Sequence, residues 1–385
     1  MGNSAPVCYK STRLPPYCAY VHVRAEAKKR ILVTDDVRIS HANLTAFITD
    51  AMRALGLPED DAATVGGLMA DADLQGSDGH GVIRLVPYAR RIRSGGMNLA
   101  PNIRVVSEKP GMALIDGDNG MGHLVMRRAA ELAIEKARVT GIAWVGSRLS
   151  NHAGPASLYA RMPVAHDMIG LYFAVGNANH LPAWGGLDML LSTNPIAAAV
   201  PAGDEPPIVL DMATTVAAYG KVKAKAQRGE QMPVGWMVDR QGQPMTDPNK
   251  REEGFLLPIG GYKGYGLSLI VGLLAGTLNG AAMGTEVIDF NADFVTTTNT
   301  GQAVCAIDIG AFGDVAAFKA RVDKLSRELH ASERMPGVER ILLPGEQSHK
   351  RRVRYARDGI PLSASLLPSL DEIAAELGIA SLRSR

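Results

Sequence analysis

Cysteine is scarce in this chain. Cys8, Cys18 and Cys305 are the three in 385 residues, an odd number with no CxxC and no Cys/His cluster. That argues against a disulfide framework and a structural zinc site, and it fits a reducing cytoplasm. Charge of one sign is missing too: 41 Lys and Arg against 39 Asp and Glu leave +2. No global field draws in nucleic acid or an anionic membrane, so an anionic ligand must be held locally. Long hydrophobic runs are absent; LSLIVGLLAG at 267–276 is too short to span a bilayer, and the N-terminus has no continuous signal core. These features predict a soluble, non-exported protein. The nine histidines are dispersed without HxxxH or a paired-carboxylate pattern, so no metal site is expected. The one basic run, HKRRVRYAR at 349–357, carries a single aromatic and reads as a solvated face.

What is present fits a two-domain α/β protein with substantial cores. Residues 1–30 are irregular and read as an N-terminal extension. Residues 39–71 carry apolar positions at helical spacing (Leu44, Phe47, Ile48, Met52, Leu55) and predict two helices broken at Gly56-Leu57-Pro58, with Asp60 or Asp61 capping the second. A third helix follows His80 and ends at Gly95-Gly96, provided Pro87 falls in its first turn. Strands are predicted at 103–108, 112–118, 141–147, 168–174, 195–201 and 206–213, with helices over 122–139 and from about Thr214 and Gly264. A mixed sheet flanked by helices, with a smaller helical layer, follows.

Three glycine-rich segments invite a dinucleotide test. GSDGHG (76–81), GDNGMG (117–122) and GYKGYG (261–266) share the spacing GxxGxG, and neither the Rossmann GxGxxG nor the Walker GxxxxGK[ST] occurs. His152, in SRLSNHAG directly after a predicted strand, stands where open α/β sheets carry sites, and an imidazole can both give and take a proton near neutrality. Taken alone, the motif leaves an ordinary loop histidine equally open. Apolar runs ending in LSTNP and LDMATT leave backbone amides free for a phosphate or carboxylate, or are simply two buried strands. Lys263, among four glycines before an apolar helix, suits an anion at a helix N-terminus or an exposed turn.

Taken in order, GHGVIRL, DGDNGMGH, SNHAG, WGG, STNPIAAAVP, LDMATT, GGYKGYGL and LPGE resemble the malate/L-lactate dehydrogenase family that is distinct from the Rossmann-type enzymes, over about residues 32–365. That family includes ureidoglycolate, sulfolactate and cyclic-imine (piperideine-2-carboxylate) members. The resemblance implies a homodimer with a non-Rossmann NAD(P)-binding domain (106–309) and a helical substrate-side domain (31–105, joined by 310–385). It matches His152 to the catalytic acid/base, His80 and Arg84 to the substrate side, and Leu210, Asp211, Met212, Lys263, Gly345 and Glu346 to cofactor contacts. The implied reaction moves hydride between NAD(P)H and a small anionic 2-oxo or 2-hydroxy acid such as malate or lactate. A cyclic imino acid reductase, or a member that binds nucleotide or acid without turnover, is the alternative. One departure stands out: where the family commonly reads SHG, this chain has Gly79 before His80.

Overall fold

The computed structural model describes residues 37–385, so the expected extension over 1–30 lies outside the described residues. A short strand β1 (Val37–Ile39) leads into α1 (His41–Ala54), whose Leu44, Phe47, Ile48, Ala51 and Met52 fall on one buried stripe. Ser40 caps it by accepting the Asn43 N–H at 3.1 Å. Helix α2 (Glu59–Leu74) has Pro58, not an aspartate, at its cap position; Glu59, Asp60 and Asp61 sit inside its first turn. There they act on the exposed N–H groups through the helix field. A 3₁₀ turn over Val82–Arg84 precedes α3 (Leu85–Arg93), which places Pro87 in the first turn, where no helical N–H is lost.

The sheet layer follows: β2 (Arg104–Lys109), β3 (Met112–Asp116), α4 (Gly122–Thr140), β4 (Ile142–Ser150), the short α5 (Ser157–Ala160) and β5 (Met168–Ala174). A hairpin of β6 (Asn179–Pro182) and β7 (Met189–Ser192) comes next, then β8 (Ile196–Val200) and β9 (Ile208–Met212). Beyond them lie α6 (Tyr219–Gln227), a small sheet of β10 (Met237–Asp239), β11 (Pro244–Met245) and β12 (Gly254–Leu256), and α7 (Tyr262–Ala275). The helix expected from Thr214 begins instead at Tyr219. The intervening residues are used in extended contacts: Thr214 N–H donates to Thr193 O at 2.9 Å, and Thr215 bridges Pro258. The chain closes with β13 (Thr300–Asp308), α8 (Val315–Ala331), α9 (Glu346–Asp358), β14 (Ile360–Leu362) and α10 (Leu367–Leu377).

Seven strands run in the order β2-β3-β4-β13-β5-β8-β9, with β3 and β4 parallel and the other neighbours antiparallel, so the sheet is mixed as expected. Its central strand β13 was not foreseen. Thr300, Gly301, Gln302 and Ala303 are all buried there, so the strand has neither the alternation nor the branched apolar run that marks one in a sequence. Two main apolar clusters result. One joins α1, α2 and α3 to Tyr355, β14 and α10 through Phe47, Met69, Leu85, Tyr88 and Leu370; the other packs α4 and α5 on the sheet through Ile115, Met126, Val145, Tyr159, Tyr172 and Val304.

The N-terminus of α4 is seated directly on the backbone that carries His152: a Cβ on Gly122 would lie 2.1 Å from Asn151 O. Gly67, inside α2, faces open space. Gly122→Ala should therefore lower stability by about 1–3 kcal/mol through overpacking, whereas Gly67→Ala should raise it by roughly 0.5–1 kcal/mol through backbone entropy and helix propensity. Urea-unfolding midpoints that move in opposite directions are the expected result.

Candidate active site

Local sequence places His80 on a tethered loop. At the end of α2 the fully enclosed Asp73 carboxylate accepts the Val82 N–H at 2.7 Å, which folds the loop back over the helix. Gly81 is needed for this closure, since a Cβ there would meet the Asp73 carboxylate at 2.0 Å. Gly79 is not: its Cβ position is open, so the serine usual in the family would fit without displacement. Burial pushes the Asp73 carboxyl up to about 8, with Asp78 adding to the rise against the Val82 hydrogen bond.

His152 follows β4 on a turn fixed by its neighbour. Asn151 is fully buried; its amide donates to Asn119 O at 3.1 Å and Gly120 O at 3.0 Å, while Gln302 Nε2 donates to Asn151 O at 3.0 Å. The His152 ring is thereby stacked on His80, with centroids 5.2 Å apart and planes 15° from parallel, and its Nε2 lies 3.2 Å from His80 Nδ1. The other nitrogen, Nδ1, lies 2.5 Å from the Tyr88 hydroxyl. The structure thus brings together two of the predicted residues and adds Tyr88. Its signal in the sequence was position alone, four residues beyond Arg84 at the start of α3.

Phe290 closes one side of the cluster, 5.8 Å from the Tyr88 ring and 5.9 Å from the His152 ring between centroids. The loop bearing it is held by the fully buried Arg91, which donates to Asp293 O at 2.6 Å and to Thr296 O and lies over the Phe290 ring. Arg84 stands at the mouth. Its Nε donates to Gly79 O at 2.8 Å and its Nη1 to Asn291 Oδ1 at 3.3 Å, and no carboxylate is paired with it among the described residues. Behind Tyr88 lies His123, fully buried in edge contact with the tyrosine ring, neither of its nitrogens hydrogen-bonded among the described residues.

Both site histidines reach solvent yet are surrounded by protein, as groups in a cleft are. Desolvation, then the Arg84 charge and His123, hold His80 at about 3. Desolvation, Arg84, His80 and His123 likewise hold His152 well below the usual imidazole value. Without a ligand the pair is neutral near pH 7.

Of the expected cofactor residues, Leu210, Asp211 and Met212 lie on the edge strand β9, and Lys263, Gly345 and Glu346 lie on or next to helices. On the outer side of β9 the Val209 N–H is taken by Pro344 O at 3.1 Å. Asp211, two residues on, turns its backbone the same way, past the point where the cover ends, and so offers a free peptide edge of the kind that can hold an amide or a base. Its carboxylate accepts the Ser157 N–H at 2.9 Å. Lys263 is exposed in the first turn of α7. Gly345, with φ +82°, caps α9 and packs on Val209, where a Cβ would lie 2.6 Å from its carbonyl oxygen. The Glu346 carboxylate is committed elsewhere, to Arg340 at 2.6 Å, Lys350 at 2.5 Å and His330 at 3.0 Å, which leaves the backbone of this turn facing β9.

Comparison with known proteins agrees with this geometry. The family model described as malate/L-lactate dehydrogenase matches residues 39–371. The chain belongs to this family. It is 40% identical to the malate dehydrogenase of Pyrococcus horikoshii over 90% of this chain and 97% of that protein, and 38% identical to the L-sulfolactate dehydrogenase of Methanocaldococcus jannaschii over 88% and 96%. The solved structure of the Pyrococcus horikoshii enzyme superposes with a TM-score of 0.82 over 90% of this chain and 97% of its own. At family level the activity is NAD(P)-dependent oxidation and reduction of 2-hydroxy and 2-oxo acids. The absence of GxGxxG from the sequence agrees with the non-Rossmann architecture of this family.

Tyr88→Phe keeps the ring and removes only the hydroxyl. It should leave unfolding free energy within about 1–1.5 kcal/mol and lower kcat/KM by roughly tenfold or more, with an altered pH profile. A second expectation concerns acid. His123, held at about 3 by burial, has a folded value below the unfolded 6.5, so its stabilising contribution is complete above pH 6.5 and is lost as pH falls towards 3. At pH 5 a histidine that stays neutral costs about 2 kcal/mol. Urea midpoints at pH 7.5 and 5.0 should differ less in His123→Leu than in the wild type.

Proposed function

We propose that this protein interconverts a small 2-hydroxy acid and its 2-oxo acid, with His152 as the acid/base, Arg84 holding the carboxylate and His80 beside the reacting oxygen. The observation that supports it most is the placement of the His152 ring between the Tyr88 hydroxyl and His80, in a cleft with an unpaired guanidinium at its mouth. Leu210, Asp211 and Met212, with Lys263 and the Gly345-Glu346 turn, would hold the NAD or NADP that supplies or accepts the hydride. The free strand edge at Asp211 and the exposed first turn of α7 suit such a ligand. The two relatives named above act, by name, on malate and sulfolactate, so an acid of this class is the substrate to test first.

A hydroxyl partner matters because it works in both directions. When Tyr88 donates to His152 Nδ1, the ring carries its proton on Nε2; when Nδ1 is protonated, the same hydroxyl accepts from it and Nε2, the nitrogen facing His80 Nδ1 at 3.2 Å, is left to accept a proton. A carboxylate partner could only accept. Arg84 already spends Nε and one Nη1 hydrogen on Gly79 O and Asn291, which fixes the guanidinium and leaves Nη2 and the other Nη1 hydrogen as a fork for a carboxylate. A carboxylate bound there also neutralises the charge that disfavours protonation of His152. Substrate binding thus prepares the acid for the reduction. The reading includes a homodimer, supported by the outer face of α7 and the turn after it, where Ile270, Leu273 and Leu278 are exposed.

Steady-state kinetics with malate, lactate and their oxo acids, using both cofactors, test the assignment. His152→Ala should lower kcat by about 100-fold or more while cofactor binding persists. Arg84→Lys should raise KM for the acid by roughly tenfold or more with KM for the cofactor little changed, because a point charge replaces two parallel donors. Equal effects on both constants, or turnover unaffected by the loss of His152, would overturn the assignment.

A further inference from the structure

Next to the open edge of β9 the structure collects positive charge that nothing in the proposed chemistry uses. Two elements flank that edge: α5, whose Ser157 N–H binds the Asp211 carboxylate, and α9, whose preceding Pro344 binds the Val209 N–H. From the end of α5 comes Arg161; from α9 come His349, Arg351 and Arg352. Arg351 lies against Gly76 in the His80 loop, where a Cβ would meet its Cδ at 2.6 Å. The counter-charge is thin. Arg352 pairs with Asp71 at 3.2 Å, and the same carboxylate oxygen also takes His41 at 3.1 Å.

Arg161 is half-buried and makes no side-chain hydrogen bond or ion pair among the described residues. Desolvation and then the Arg352 charge push its guanidinium down from the usual value, with Asp71 offsetting only part. His349 is held down by desolvation and by Arg161, Arg352 and Lys350 in turn. Cations packed at mutual cost, one of them a guanidinium with no acceptor, are the arrangement that a bound multivalent anion repays.

We propose that Arg161, with His349 and Arg352, binds a phosphate group of the dinucleotide, between the two elements that flank β9. The proposal rests on the oxidoreductase reading above and adds a role for residues outside the family motifs. Two phosphates share the required chemistry, the pyrophosphate common to both cofactors and the 2′-phosphate present only in NADP(H).

Equilibrium binding of NADPH and NADH to the full-length protein, followed by fluorescence of the reduced nicotinamide, tests it without turnover. Arg161→Met should raise Kd by about tenfold or more, as loss of a charge-assisted contact does, and Arg161→Lys should recover part of the loss. Weakening of both cofactors identifies the pyrophosphate; weakening of NADPH alone identifies the 2′-phosphate. Arg128→Met, on the exposed face of α4, should change neither. If Arg161→Met and Arg161→Lys both melt like the wild type and bind both cofactors with its affinity, the phosphate site is wrong and the oxidoreductase reading stands. A wild-type protein that binds neither cofactor overturns both.

Discussion

The site depends on the buried amide of Asn151. It ties the turn after β4 to the turn before α4, through Asn119 and Gly120, and the backbone carbonyl of the same residue is tied to β13 through Gln302. Three separate parts of the chain are thus fixed relative to one fully buried residue. The next residue, His152, inherits that position, with neither freedom to turn outward nor a charged partner to set its proton. A buried amide whose nitrogen donates to Asn119 and Gly120 and whose oxygen accepts from the Thr298 hydroxyl at 3.1 Å is costly to rearrange. The placement of the His152 imidazole, the proposed acid/base, is in this sense borrowed from its neighbour.

Electrostatics around the cluster run in one direction. Among the described residues no carboxylate is bonded to either site histidine, and the buried Asp73 is spent on the Val82 N–H and pushed towards its neutral form. The cleft in its free state therefore offers Arg84 to solvent and keeps both imidazoles neutral. Such a cleft discriminates for anions before any shape is read, because a cation would meet the guanidinium and gain nothing from the rings. The ring stack of His80 on His152 persists only while both are uncharged or share one proton.

Much of this was legible in the sequence, and what was missed has physical causes. Helices α1, α2 and α4 announced themselves because their buried residues recur at helical spacing, and the strands β3, β5 and β8 because small and branched apolar residues run together. The strand β13 was hidden because it is buried on both faces yet opens with Thr, Gly, Gln and Ala, a stretch with neither alternation nor an apolar run. Thr214 read as a helix start, since hydroxyl residues favour caps, but its amide and hydroxyl are both spent on Thr193 O. Of the site, His152, His80 and Arg84 could be picked from motifs; Tyr88 could not, because its role arises from the meeting of α3 with a turn sixty-four positions away. Arg161 and His349 were likewise unremarkable until α5 and α9 were seen on either side of one strand.

The open stretch of β9 has a consequence beyond ligand binding. A strand edge with unpaired peptide groups is a template on which another chain can add itself, and proteins ordinarily blunt such edges. At the opposite end of the sheet, β2 is blunted by charge, with Arg104, Glu108 and Lys109 exposed along it. On β9 the cover stops at Pro344, and beyond it the Asp211 carboxylate is the sole charge the strand itself contributes. The strand edge proposed to hold the cofactor is thus also open to unwanted self-association, and a resident ligand would act on it as a stopper does on an open end.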